Sequence, residues 1–452
     1  MASESHRDEV TRRLAEYSVS IDGALVDADV RKEVGRRLID SLACAYGALD
    51  CEPVAALRSL AEERAVPGGC SVWGSPVASS PEAAALANGT AIRFLDFSDY
   101  TTGGHPSDNV AAVLAACEWA DSTVDDLVAG IVVSYEVWGE LGRLYLRYRG
   151  WDQGTTAVIA AACAIGRVLG LTVDQLANAI GIVATSNISL VKLRRGEISA
   201  WKGAAVPYAA QSALLVAAMA AKGITGPQDA FAGEFGFFQQ VSGEFEIEGL
   251  EPSGRPTTVL TTGYKHWPVE YEAQWAVWLA QRIRAAVPLE EIESLDVGTS
   301  EWTWRAIAND PAKWRPTTRE TADHSLPYIV AVALVRGRID SSDFDEDQLD
   351  TPAYVDAMSR ITVHGDPEIS AIAHETVTFR ATVRTRAGDE KLFEISEPRA
   401  KSMTDEELDE KWHRLTGTSR LAGRSASLLE DLRRLDGTQR VRDLLTPLTA
   451  SD

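Results

Sequence analysis

The period of the apolar residues changes twice along this chain, and no other feature constrains its fold so tightly. From Asp8 to about Gly223 apolar side chains recur at spacings of three and four, as in "VRKEVGRRLIDSLACAYGAL", which is the period of an α-helix. After about Gly263 the runs become short and β-branched or alternating: "IESLDVGTS", "SRITVHGD", "ETVTFRATVRTRAG" and "EKLFEIS". From about Thr404 helical spacing returns in "DEELDEKWHRLTG" and "SASLLEDLRRLDG". At 452 residues the chain exceeds one ordinary core. The pattern predicts a mainly α protein with an α+β domain inserted into it, the last helices returning to the first domain.

Local signals fill in this plan. "TTAVIAAACAIGRVLG" and "VPYAAQSALLVAAMAAKG" are apolar on most faces and end in glycine, so they are expected to be helices buried against other helices. Thr172, followed three residues later by Gln175, has the spacing of a capping box. "FRATVRTRAGDEKLFEIS" reads as a hairpin turning at Ala387-Gly388-Asp389, and the strands are separated by helix-like "EAQWAVWLAQRIRAAV" and "PYIVAVALVRG". No repeat of 20–50 residues marks a solenoid.

Charge narrows the function classes. Lys and Arg number 44 against 66 Asp and Glu, a net charge of −22, which argues against nucleic-acid or anionic-membrane partners. An anionic ligand would need a local basic pocket. No run is expected to reach the roughly 18 apolar residues that span a bilayer. The start, "MASESHRDEVTRRLAEYSVS", lacks the apolar core of a signal peptide. The five cysteines are scattered without a C-x-x-C pair, so disulfides, structural zinc and iron–sulfur clusters are poorly supported and a cytoplasmic location is expected.

The segment "FLDFSDYTTGGHPSDN", Phe94 to Asn109, breaks two apolar helical runs with Asp96, Asp99, Asp108, a Gly-Gly pair and His105. Gly103-Gly104 permits positive φ and Pro106 fixes the turn. Ser107 or Asp108 is expected to cap the next helix, leaving His105 just before a helix N-terminus, where anions are favoured. The same residues suit a capped turn with no ligand. Asp96, Asp99 and His105 are also metal-ligand types, but no further ligand cluster accompanies them. A second stretch, "KLRRGEISAWKGAA", gathers Lys192, Arg194, Arg195 and Lys202. It reads either as a solvated loop paired with Glu197 or as a carboxylate-holding island, with arginine as a fork and lysine as a point charge. A third, "TTGYKHWPVEYEAQW", sets Lys265, His266 and Glu270 among Tyr264, Trp267 and Tyr271. Lysine in an apolar setting is a candidate acid or base, the alternative being an aromatic packing seam. Asp152 in "YRGWDQGTT" reads first as a helix cap, and His324 in "ETADHSLPYIVAVAL" as a satisfied polar residue near a helix start. No P-loop, G-x-S-x-G or dinucleotide fingerprint is present.

Taken in order, "NGTAIRFLDFSDY…GHPSDNV", "GWDQGTTAVIAAACAIGRVLGLT", "RRGEISAWKGAA", "KGITGPQDAFAGEFGFF" and "KWRPTTRETADHSLPYIVAVAL" resemble the MmgE/PrpD family of 2-methylcitrate dehydratases and cis-aconitate decarboxylases. The resemblance covers nearly the whole chain. It implies a large helical domain begun by residues 1–264 and completed by 404–452, an α+β lid over 265–403, and a homodimer. It also implies a lyase without cofactor or metal, acting on a small polycarboxylate, most simply by dehydrating 2-methylcitrate. By position, Asp96 and His105 match the family's active-site Asp and His, Lys265 matches the lysine opening the lid, and Lys202 falls near a lysine-bearing segment. The expected roles are His105 as principal acid/base group oriented by Asp96, Lys265 as second proton-transfer group, and Asp152 as a tuning or replacement acid/base. Arg194 and Lys202 would clamp carboxylates, with Lys192, Tyr264 and Glu270 also in the substrate set. Where the decarboxylase branch carries histidines this chain has Asp152 and Glu270, which favours dehydration over decarboxylation. A decarboxylase, isomerase or epimerase of a related acid is the alternative.

Overall fold

Alanine loses no rotamer freedom on entering a helix, and its small side chain lets helices approach closely. The Gly154–Val168 and Pro81–Phe94 helices are built on this. In the computed structural model, which describes residues 8–252 and 254–449, every residue from Gly154 to Gly166 is buried. A helix with no polar face has nowhere stable to sit except inside. The part of the signal-peptide expectation that fell on residues 1–7 lies outside the described residues.

Contacts divide the chain into two compact units. The first comprises the chain up to Lys192, Gly203–Thr262, and the chain from Ser402 onward. Within it the Ala28–Ala48 helix packs against Pro81–Phe94, Asp405–Thr416 and Ser425–Arg434. The Val124–Gly142 helix packs against Gly154–Val168, which in turn packs against Val173–Ser186. The capping box of Thr172 and Gln175 is formed, and equivalent boxes open the Val124 and Asp405 helices.

Two features of this unit depart from the sequence reading. Trp201–Ala221 has the length and composition to cross a membrane, although no such run was expected. Ala204, Val206, Ala213, Leu214 and Ala217 are buried, as in the core helix of a globular protein. A small antiparallel pair, β1 (Ala65–Ser71) with β2 (Ala78–Ser79), interrupts the helices. Its "VPGGCSVWGS" stretch carries too many glycines to show an alternating pattern.

The second unit comprises Leu193–Lys202 and Gly263–Lys401. Its sheet has the order β4-β3-β5-β6, with β3 at Ile292–Thr299, β4 at Ile361–Gly365, β5 at Thr376–Thr385 and β6 at Glu390–Pro398. β3 and β4 are parallel, with Leu295 opposite Ile361; the β3–β5 and β5–β6 pairs are antiparallel, with Phe379 opposite Ile395. Val377, Phe379, Ala381 and Val383 of β5 are buried, and the Ala273–Ala286 helix packs on β5 and β6. The hairpin turns where expected: Thr385 N–H donates to the Asp389 carbonyl at 2.8 Å, and Gly388 takes a φ of +90°. The early segment is fastened to this unit through Ile198, whose N–H donates to Thr321 Oγ1 at 2.9 Å and whose carbonyl accepts from Thr318 Oγ1 at 2.8 Å.

Candidate functional site

In the first unit the polar segment begins where the Pro81–Phe94 helix stops. Asp96 takes a φ of +50°, a left-handed conformation that side chains other than glycine, asparagine or aspartate rarely adopt. Its buried carboxylate is held by the Arg93 guanidinium. Arg93 Nε also lies 3.5 Å from Asp108 Oδ1, and Asp108 Oδ2 accepts from Gln153 Nε2 at 3.1 Å. One buried arginine thus ties together Asp96, Asp108 and, through Gln153, the loop that carries Asp152.

His105 sits at the start of a short 3-10 turn, Pro106–Asn109. Its Nδ1 lies 2.6 Å from the backbone carbonyl of Asp99. A carbonyl oxygen only accepts, so Nδ1 bears the proton and Nε2 is the basic nitrogen of the neutral ring. The sequence reading gave the orienting role to Asp96; the geometry gives Nδ1 to the Asp99 carbonyl and Asp96 to Arg93. Asp99 is itself fixed, one oxygen accepting from Tyr135 Oη at 2.7 Å and the other from Ser107 N–H at 3.2 Å. Neither Ser107 nor Asp108 caps the following helix: the 3-10 turn intervenes, and Asn109 occupies the cap position without a side-chain bond to the helix's first N–H groups. Gly104 is required here, because a Cβ would lie 2.1 Å from Gln153 Oε1 at a φ of +141°.

Asp152 is buried, and its Oδ1 accepts from Gly154 N–H at 3.2 Å, although the cap position of that helix is Gln153 rather than Asp152. The loop is held from far along the chain. Lys411, on the Asp405–Thr416 helix, donates to Asp40 Oδ1 and to the Phe97 carbonyl, both at 2.6 Å. Burial pushes the Asp40 carboxyl up while Lys411 pulls it down.

The second unit gathers cations. Lys202 is buried, with Nζ 2.9 and 3.0 Å from the two oxygens of Asp323 and 3.2 Å from His324 Nδ1. His324 Nδ1 lies 2.5 Å from Asp323 Oδ1. The carboxylate that Lys202 holds is therefore the chain's own. Arg195 lies over the Trp302 ring at 5.2 Å, and Arg194 is half-buried. Lys192 is exposed and belongs to the first unit, so the basic island is not one structural group. Lys265 and Tyr264 are buried, and the stretch after them is clamped by Gln274, whose Oε1 accepts from the His266 and Trp267 N–H groups at 3.0 Å. His266 packs edge-on to Trp278, part of a seam with Tyr271 and Trp275. Glu270 is set differently from its expected substrate role: its Oε2 accepts from Glu272 and Ala273 N–H groups at 2.7 and 3.2 Å, fixing the start of the Ala273–Ala286 helix. Its own N–H donates to the Asp323 carbonyl at 2.8 Å, which brings Glu270 beside the Lys202 pair.

Arg93, the Asp99 carbonyl, Gln153, Lys411 and Asp323 carry much of this geometry and were not singled out from sequence. The Arg93-x-x-Asp96 spacing and the Asp323-His324 pair were visible in principle. A main-chain carbonyl and a lysine over 300 residues away leave no local mark.

The chain that carries these groups has a specific match. A family model for the MmgE/PrpD N-terminal domain matches residues 12–250, and one for the MmgE/PrpD C-terminal domain matches residues 267–430. The chain belongs to the MmgE/PrpD family. It is 28% identical over 367 residues to the 2-methylcitrate dehydratase of Salmonella typhimurium, covering 75% of this chain and 74% of that one. It is 27% identical over 375 residues to the mitochondrial 2-methylcitrate dehydratase of Yarrowia lipolytica, covering 78% and 71%. The cis-aconitate decarboxylase-like protein oryM of Aspergillus oryzae is 26% identical over 445 residues, covering 90% and 91%. These family members are thus named for 2-methylcitrate dehydration and, in oryM, for likeness to cis-aconitate decarboxylase.

Proposed function

We propose that this chain is a cofactor-independent hydro-lyase for a small tricarboxylate, with 2-methylcitrate to 2-methylaconitate as the reaction that fits best. The observation that carries the reading is His105, whose Nδ1 meets the Asp99 carbonyl so that Nε2 is the basic nitrogen of the neutral ring. Dehydration removes a proton from carbon beside a carboxylate and expels a tertiary hydroxyl. One group must take the first proton and another must protonate the leaving oxygen. His105 Nε2 takes the proton, and Lys265 serves the leaving oxygen. Cations beside the activated carboxylate stabilise the enolate-like charge that develops there. Arg194 supplies that charge, with Lys202 held on Asp323 beside it, Lys192 and Tyr264 at the substrate's periphery and Asp152 holding the loop beside Gln153.

Decarboxylation is the second reading, favoured by the oryM likeness over nine-tenths of both chains. Incubation with 2-methylcitrate, citrate and cis-aconitate, following ultraviolet absorbance and carbon dioxide, separates the two. A conjugated product without gas supports dehydration, and gas from cis-aconitate overturns it. His105→Asn should lower kcat by at least about a hundredfold; near-wild-type turnover in a folded variant refutes the assignment. We also propose a homodimer, supported by Tyr208 and Leu215, exposed apolar residues seven apart on one helix. Light scattering giving the monomer mass would reject it.

A further inference from the structure

The second unit contains a buried amine that the proposed chemistry does not use. Lys313 lies in the Pro311–Trp314 turn and is 1% exposed. Its Nζ has no hydrogen-bond partner among the described residues. Its position is fixed from behind, since Ser325 Oγ donates to the Lys313 carbonyl and Asp310 Oδ1 accepts from Ala312 N–H at 2.9 Å. The charged groups that act on it are Asp323, Lys202, Asp310 and Arg195. Of the two carboxylates, Asp323 is already engaged by Lys202 and His324, and Asp310 caps the turn. The Glu320 carboxyl nearby is pushed up by burial and by Asp323.

A buried ammonium with no partner weakens a fold, and an apolar side chain of the same length would fill that space without the cost. Both carboxylates that act on Lys313 are engaged elsewhere, so its amine is placed to take an anion that the described residues do not supply. We propose that Lys313 is a substrate-binding residue whose amine takes one carboxylate of a small polycarboxylate ligand, beside the Lys202–Asp323 pair. This rests on the dehydratase reading for the ligand class, but it requires binding only and not turnover. Burial holds the unliganded amine at about 8, below the ordinary lysine value. Near that pH a carboxylate ligand must therefore bring a proton with it.

The test uses tricarballylate, a tricarboxylate with no hydroxyl to eliminate, titrated calorimetrically into the full chain in two buffers of different ionisation enthalpy. Wild type should take up roughly half a proton on binding near pH 8, and its affinity should fall as pH rises further. Lys313→Met should bind at least tenfold more weakly at pH 7, lose the proton uptake and unfold at a urea midpoint no lower than that of wild type. Lys313→Arg should keep part of the affinity without the pH dependence. Binding of inorganic phosphate as tightly as tricarballylate would overturn the carboxylate assignment. Unchanged affinity and proton uptake in Lys313→Met would overturn the site, as would an absence of tricarballylate binding to wild type. Should the methionine variant misfold, wild-type binding without proton uptake near pH 8 overturns it equally. A chain that binds tricarballylate through Lys313 but does not dehydrate 2-methylcitrate refutes the proposed reaction and leaves this site standing.

Discussion

Replacing Lys411 by methionine tests whether the loop carrying Asp96 and His105 is held from the C-terminal helices. In the wild type the Lys411 ammonium lies 2.6 Å from both Asp40 Oδ1 and the Phe97 carbonyl, and 4.0 Å over the Phe97 ring. Lys411 and Asp40 are both buried. Removing the cation leaves a buried carboxylate without its counter-charge, which typically costs about 3–5 kcal/mol. That is a large part of the roughly 5–15 kcal/mol by which such proteins are stable. The pH dependence fixes the cause. Burial already raises the Asp40 carboxyl, and Lys411 opposes that rise. Without Lys411 the folded carboxyl rises further and holds its proton more tightly than the unfolded one. Stability then falls as pH increases from the ordinary aspartate range to the raised folded value, and stays low above it. The deficit of Lys411→Met is therefore small in acid and full at neutral pH. Adding Asp40→Asn should recover part of it, since no charge is then buried, though the Phe97 carbonyl stays unmet. Urea midpoints at about pH 5 and pH 7.5, with turnover alongside, measure all of this. A deficit under about 1 kcal/mol at the higher pH, or the same deficit at both, would refute the reasoning.

Lys313→Met should be more stable than wild type by up to about 3 kcal/mol at neutral pH, the equivalent of lowering an amine from 10.5 to about 8. Because the folded wild type binds that proton less tightly, its stability rises with pH across this interval and the variant's advantage disappears, as paired urea titrations at pH 7 and 10 would show. Tyr135→Phe removes the bond to Asp99 Oδ2 and should cost about 1–3 kcal/mol, with the His105 imidazole resonances shifting in NMR spectra. Gly104→Ala places a methyl against Gln153 Oε1 at a backbone angle that alanine resists. It should lower the melting temperature and reduce turnover more than tenfold, and unchanged values would show the loop to be pliable.

What could be read from sequence was whatever neighbouring residues decide among themselves. The Thr172–Gln175 box, the Gly388 turn and the alternation of β5 depend on residues within a few positions of one another, and all appear as read. The predominance of helix and the small mixed sheet after Gly263 followed from the change of period. The site was legible only in its residue types. His105 was found because a histidine between glycine and proline cannot continue a helix. Its orienting partner was misread, because a main-chain carbonyl has no signature in sequence. Glu270 was given to substrate because an acid among aromatics suggests chemistry; that one of its oxygens also meets two N–H groups at a helix start was not read. Lys313 was passed over because "DPAKWRP" gives no sign of burial. The β1–β2 pair was missed because glycine removes the side chains that would reveal a strand.

Phe97 and Lys411 are 314 residues apart in sequence. At a synthesis rate of 5–20 residues per second, roughly 15–60 s pass between the emergence of one and the other. For that interval the nascent chain has made its imidazole loop and the whole inserted unit but lacks the lysine that secures the loop. A ribosome stalled before the last helices would present a chain with all the proposed proton-transfer groups but without the ammonium that ties Phe97 to Asp40.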